Sequence, residues 1–158
     1  MARFAQSMAP LILGFDPRAG AEVAARFADL PEAQFLGEVA GGAPYLRGLM
    51  LREEGFLRAA LTAEVAEVVP AEIALLRDLP LDALARDLRR AKRRVALWTG
   101  LCDLGGVWDL EAVTGALTDL ADACVAVCVQ RLVEDEVRRG KLPDAAGAGG
   151  MVVLAMGK

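Results

Sequence analysis

Residues 81–106, LDALARDLRRAKRRVALWTGLCDLGG, decide the fold class. Apolar side chains fall at Leu84, Leu88, Ala91, Val95, Trp98 and Cys102, in alternating steps of three and four. At about 100° per residue these positions share one face of an α-helix. Arg86, Arg89, Arg90, Arg93 and Arg94 share the opposite face, and Gly105-Gly106 ends the pattern. Asp109 and Glu111 then supply a cap and a negative first turn for a second helix. In it Leu110, Val113, Leu117, Leu120, Cys124 and Val127 recur at heptad spacing and can lock against the preceding stripe. Arg138-Arg139-Gly140 gives a basic last turn and a glycine stop. Two long helices in succession predict an antiparallel hairpin, the backbone of a mainly α helical bundle.

Toward the N-terminus the elements shorten. Asp16-Pro17 is a helix start, an Asp cap followed by Pro at the first helical position, and it introduces Ala21 to Leu30, which Pro31 interrupts. Gly41-Gly42-Ala43-Pro44 is a break and restart. Beyond it Tyr45, Leu46, Leu49, Met50, Phe56, Leu57 and Leu61 predict two short helices meeting near Glu54-Gly55. Pro70 and Pro80 bracket another, from Ala71 to Leu79.

Toward the C-terminus, Pro143 to Gly150 reads as a flexible connector with few large side chains. It leads into the apolar, partly β-branched run Met151-Val152-Val153-Leu154-Ala155-Met156, which ends in Gly157-Lys158. This spacing predicts a buried strand delivering a tight turn, the opening of an α/β nucleotide-binding unit. One strand forms no sheet, so the chain reads as cut at the threshold of an active site. The expected organisation is a helical region over 1–142, a connector over 143–150, and the first strand and turn of a truncated α/β core over 151–158.

Composition agrees with packed helices. Of 158 residues 55% are hydrophobic but only 5% aromatic, with Ala, Leu and Val supplying most of the apolar mass. A net charge of −4 argues against a general nucleic-acid binder. No uncharged apolar run approaches the ~18 residues that suggest a membrane span. Met8 to Phe15 is apolar but has one preceding Arg and no small-residue cleavage site, a poor signal peptide, so a cytoplasmic protein is expected.

Few residues point to chemistry. Cys102, Cys124 and Cys128 are odd in number and stand without any His, which favours buried hydrophobes over a metal site. The same lack of His excludes Ser-His-Asp and Cys-His sets. Carboxylates are scattered, with Glu134-Asp135-Glu136 on a soluble helix surface, so no catalytic residue and no metal ligand is assigned. Trp98 lies on the apolar stripe, and it and Trp108 read as packing residues. The run Arg86 to Arg94 admits two readings: a solvated face with Asp82 and Asp87 as local partners, or a surface for phosphate or an acidic partner, since Arg forks match both. Gly157-Lys158 is not a Walker A loop, because apolar strand residues occupy the positions of the phosphate loop.

Three stretches, in order, resemble the bifunctional glutamine synthetase adenylyltransferase/adenylyl-removing enzyme family. The first is Ala43-Pro44-Tyr45-Leu46-Arg47-Gly48-Leu49-Met50-Leu51-Arg52-Glu53-Glu54-Gly55-Phe56-Leu57, with Glu53-Glu54 where the family often has His-Pro. The second is the helix pair, from Leu88-Arg89-Arg90 through Asp103-Leu104 and from Asp109-Leu110-Glu111 to Ala121-Asp122-Ala123. The third is Met151 to Lys158, with Ala155 where the family commonly has Gly. That run resembles the strand opening the family's first catalytic core, which continues Leu-Gly-Gly and reaches an Asp-x-Asp motif about a dozen residues later.

The resemblance implies a nucleotidyltransferase of the DNA polymerase β-like superfamily, with magnesium held by paired carboxylates lying beyond Lys158. Of the family's site residues only Gly157 and Lys158 are implied here, at the lip of the nucleotide site. The implied activity is the adenylyl-removing half, phosphorolytic removal of AMP from glutamine synthetase; the other half adds AMP from ATP. Implied partners are glutamine synthetase and the PII signalling protein, with ATP, ADP and phosphate as small ligands and neither nucleic acid nor membrane. The segment itself is expected to be inactive. The alternatives are a non-catalytic helical interaction module using the Arg86–Arg94 face, or a helical scaffold without a site.

Overall fold

The computed structural model describes residues 4–8 and 15–155. Within them lie eight α-helices: α1 (Phe4–Ser7), α2 (Pro17–Arg26), α3 (Ala33–Gly42), α4 (Pro44–Arg52), α5 (Glu54–Thr62), α6 (Val68–Ala74), α7 (Leu81–Leu104) and α8 (Leu110–Arg138). The predicted long pair is α7 and α8, and the mainly α class stands.

Local signals set most boundaries. The Asp16 carboxylate accepts from the Ala19 N–H at 3.0 Å and Pro17 opens α2, satisfying one of the orphan donors of a first turn. Asp109 does the same for α8, accepting from the Ala112 N–H at 2.8 Å. Gly140, at φ 73°, supplies the left-handed residue after α8 that lets its last carbonyls be capped.

Pro70 behaves differently from the expectation. It lies in the first turn of α6, which begins at Val68 and ends at Ala74, rather than bracketing a helix from Ala71 to Leu79. The first N–H groups of a helix have no intrahelical acceptor, so a proline there forfeits nothing. Likewise α2 ends at Arg26 rather than Leu30.

The core is built around α7, which packs against α4, α5, α6 and α8. The predicted stripe is inside, with Val95, Trp98 and Cys102 fully buried and Leu88 half-buried. From Val95 onward Leu97, Thr99 and Leu101 are buried too, so the second half of α7 is enclosed on more than one side. Trp98 stacks at a tilt on Phe4, with ring centroids 5.4 Å apart, and its indole N–H donates to the Val65 carbonyl at 3.4 Å. That bond gives the one polar atom of a buried ring its partner.

Helices α2 and α3 cross at glycines. A Cβ placed on Gly37 would meet the Gly20 carbonyl oxygen at 2.8 Å and the Ala24 methyl at 2.9 Å. Only hydrogen fits there, and the two helix backbones touch.

Helix α8 departs from its predicted role. Of its heptad positions Leu120 and Val127 are buried, but Leu117 is 43% exposed and Leu110 74% exposed. Periodicity marks where apolar residues lie; here α7 covers only one edge of the stripe. By length and composition alone α8 is the one described helix apolar enough to cross a membrane.

The segment after α8 turns back on it. Asp144 accepts from the Ala146 N–H at 2.8 Å, Gly147, Ala148 and Gly149 follow in left-handed conformation, and Gly149 lies against Val133 and Leu142. Residues 151–155 form no strand and are exposed. Residues 151–155 thus stand without strand pairing or burial here, for a physical reason: a strand needs a ladder partner, and no described segment offers one.

Candidate functional site

The sequence-derived candidates separate in space. Gly157 and Lys158 lie outside the described residues, as does most of the apolar run Met8 to Phe15. The run that leads to Gly157 is open to solvent, with Val152 80% and Leu154 79% exposed.

The five arginines of α7 do not form one free surface. Arg93 donates to Glu53 Oε1 at 2.7 Å, and Arg94 donates to Glu53 Oε2 at 3.1 Å and to Glu72 Oε1 at 3.1 Å. These bonds bind α7 to the α4–α5 junction and to α6. Burial alone would raise the Glu53 pKa, but the guanidiniums of Arg93 and Arg94 outweigh it and hold the carboxyl below its usual range. Burial alone would lower the Arg94 pKa, but the carboxylates of Glu53 and Glu72 outweigh it and raise it. At the other end of the run, Arg86 and Arg90 both pair with Asp87, at 3.0 and 3.3 Å. Arg86's hydrogen bond lowers Asp87's pKa, although burial pulls the other way. Arg89 makes no ion pair among the described residues. What faces outward is therefore Arg86, Arg89 and part of Arg90.

Sequence reasoning missed the network around Glu53-Glu54. Glu54 pairs with Arg26 at 2.6 Å and with Arg58 at 3.0 Å, and Arg58 continues to Asp29 at 2.8 Å. Adjacent glutamates thus point to opposite sides, one tying α7 and the other tying α2. Apart from Arg58, an i,i+4 neighbour of Glu54, their partners stand tens of residues away, beyond any local pattern. The one available hint was a pair of acids at a helix–helix junction. Arg131 was missed for the same reason: it donates to the Leu79 and Arg77 carbonyls, both at 2.9 Å, and so anchors α8 to the turn after α6.

These groups hold the fold; they do not converge on a reacting centre. Among the described residues no three acidic or thiol side chains are placed to share a metal ion. Burial pushes the Cys102 thiol up to about 12, which keeps it protonated and inert. Burial, and secondarily Cys128, also raises Cys124.

Among the described residues, the most extended apolar surfaces left uncovered are residues 151–155 and the outer face of α8. Beside the latter, a groove of 420 Å³ runs between α7 and α8 past Leu88, Ala96, Leu120 and Cys124, with Arg89 and Lys92 on its rim.

Comparison with known proteins gives these surfaces a context. The family model for glutamate-ammonia ligase adenylyltransferase matches residues 32–158, which include α3 through α8 and the exposed C-terminal run. The chain belongs to this family. Among its curated relatives, a bifunctional glutamine synthetase adenylyltransferase/adenylyl-removing enzyme of Rhodopseudomonas palustris (strain TIE-1) is 34% identical over 98% of the chain. The enzyme of that name from Caulobacter vibrioides is 37% identical over 78% of it, and that of Bradyrhizobium diazoefficiens 51% identical over 46%. The chain spans only 17%, 13% and 8% of these three adenylyltransferases, respectively. No solved structure matches it.

Proposed function

We propose that the chain is the leading helical part of the adenylyl-removing half of a glutamine synthetase adenylyltransferase. The match of residues 32–158 to the family carries this reading, supported by the order of the three resembling stretches. Met151 to Lys158 is then the opening strand of a nucleotidyltransferase core, with Gly157 and Lys158 at the lip of the nucleotide site. The parent reaction is phosphorolysis: an oxygen of inorganic phosphate attacks the AMP phosphorus, the bond to the glutamine synthetase side-chain oxygen breaks, and ADP and unmodified enzyme leave. The opposite half adds AMP from ATP, and PII is the regulatory partner. The setting is the cytoplasm.

Magnesium belongs to this reading as the ion that offsets phosphoryl charge. The described residues have no donor set to hold it, and in this reading its ligands belong to the core that follows. Its own contribution is a rigid helical base from which the core strand leaves, and alone it is inactive.

The test joins residues 1–158 to the remaining chain of the Rhodopseudomonas palustris relative. AMP-modified glutamine synthetase, phosphate and magnesium should yield ADP with the fusion and none with the 158-residue chain. A folded fusion that releases no ADP would count against the proposal.

A further inference from the structure

We infer that the outer face of α8 is a docking surface for the sheet of an α/β core, the sheet that Met151–Ala155 would join. The inference rests on the reading just given. Its own support is the geometry of α8. Leu110, Leu117, Val125 and Leu132 lie on one side of the helix and are 74%, 43%, 40% and 53% exposed. Between them on the same side stand Thr114, Ala121 and Cys128. The charged residues Glu111, Asp119 and Asp122 are turned roughly 80–160° away at 3.6 residues per turn. A helix of this length that kept its apolar side in water would forgo the burial that stabilises amphipathic helices.

Continuity of the chain selects the occupant. Helix α8 leads through the turn at Ala146–Gly150, tucked against Val133, into a second uncovered apolar element at Met151 to Leu154. That element gains ladder bonds only inside a sheet, and a sheet must bury its own apolar face against a neighbouring layer. Elements consecutive in sequence and joined by a short connection are usually adjacent in space. The sheet that satisfies 151–155 is therefore the surface that α8 covers. The relatives carry chain enough to build it, since this segment is 17% of the Rhodopseudomonas palustris enzyme. Arg89 and Lys92 border the groove without ion pairs among the described residues, and specify acidic side chains on the facing rim.

Hydrogen exchange on the 158-residue chain and on its fusion to the Rhodopseudomonas palustris core tests this. Amides of residues 110–132 should exchange about tenfold or more slowly in the fusion. Joint Leu110→Asp and Leu132→Asp substitution, at the two most exposed positions of the face, should change the melting of the 158-residue chain little, lower that of the fusion, and remove the added protection. Protection in a fusion that releases no ADP would keep the docking surface and sink the adenylyl-removing reading. An active fusion whose α8 exchanges as in the 158-residue chain would overturn the docking inference. So would concentration-dependent dimerisation of the 158-residue chain, or its binding to phosphatidylglycerol vesicles, if either alone protected residues 110–132: the occupant would then be a second copy or a bilayer.

Discussion

Gly37→Ala should destabilise the protein even though alanine is the best helix former. In an open helix interior this exchange stabilises by about 0.5–1 kcal/mol. At Gly37 the added methyl would lie 2.8 Å from the Gly20 carbonyl oxygen and 2.9 Å from the Ala24 methyl. Neither neighbour can swing aside: one is backbone in the middle of α2, and the other is a side chain with no rotamer. Relief requires α2 and α3 to separate, carrying buried Val23, Phe27, Leu36 and Val39 with them. Overpacking costs about 1–3 kcal/mol; with contacts this short against backbone the cost falls at about 2–3 kcal/mol, and offset by the propensity gain it leaves a net loss of roughly 1–2 kcal/mol. For a chain of this size that lowers Tm by about 2–8 °C. The control is Gly115→Ala in α8, where nothing lies within 4 Å of the new methyl; it should raise Tm by about 2–3 °C. Thermal and urea melts followed by far-UV circular dichroism decide the matter. Equal stabilisation by both substitutions would refute the close crossing of α2 and α3.

Three further outcomes follow from the interior. Glu53→Gln removes the carboxylate shared by Arg93 and Arg94; since those guanidiniums keep 27% and 23% exposure, the loss should be about 2–3 kcal/mol at neutral pH, less than the ~3–5 kcal/mol of a fully buried pair that is broken. Glu53 has a folded pKa below its ordinary 4.5, so its contribution is complete above that pH and disappears as pH falls through the lowered value; a pH series of melts should show Glu53→Gln losing less stability below about pH 4.5 than the parent. Trp98→Ala should cost about 3–5 kcal/mol by emptying the centre of the core, read from the urea midpoint. In native protein a thiol reagent should modify Cys124 and Cys128 well before Cys102, whose thiol is held protonated to about 12, with mass spectrometry assigning the order.

What the sequence made legible was local. The Asp16 and Asp109 caps, the Pro17 start and the Gly140 stop act within one turn, and all four stand where the residues place them. The α7 stripe was legible because one period ran through six residues. The same periodicity misled for α8, because it locates an apolar face without saying whether anything covers it. Helix α3 went unread: Gly37 and Gly41-Gly42 lower helix propensity, and their use becomes visible only when α2 lies against them. Glu53, Glu72, Arg93 and Arg94 are joined across separations no local pattern encodes, so the arginine run looked more open than it is. The segment 151–155 read as a strand by composition, but strand formation depends on a partner. The candidate nucleotide-site residues Gly157 and Lys158 followed from resemblance alone.

If residues 1–158 lead into an adenylyl-removing nucleotidyltransferase core, as proposed, the coding sequence downstream of Lys158 continues through Leu-Gly-Gly to an Asp-x-Asp motif about a dozen residues later. Reading that sequence, with the intact mass of the native product beside it, tests the proposal: a stop codon directly after Lys158, or a continuation without paired aspartates, would overturn it.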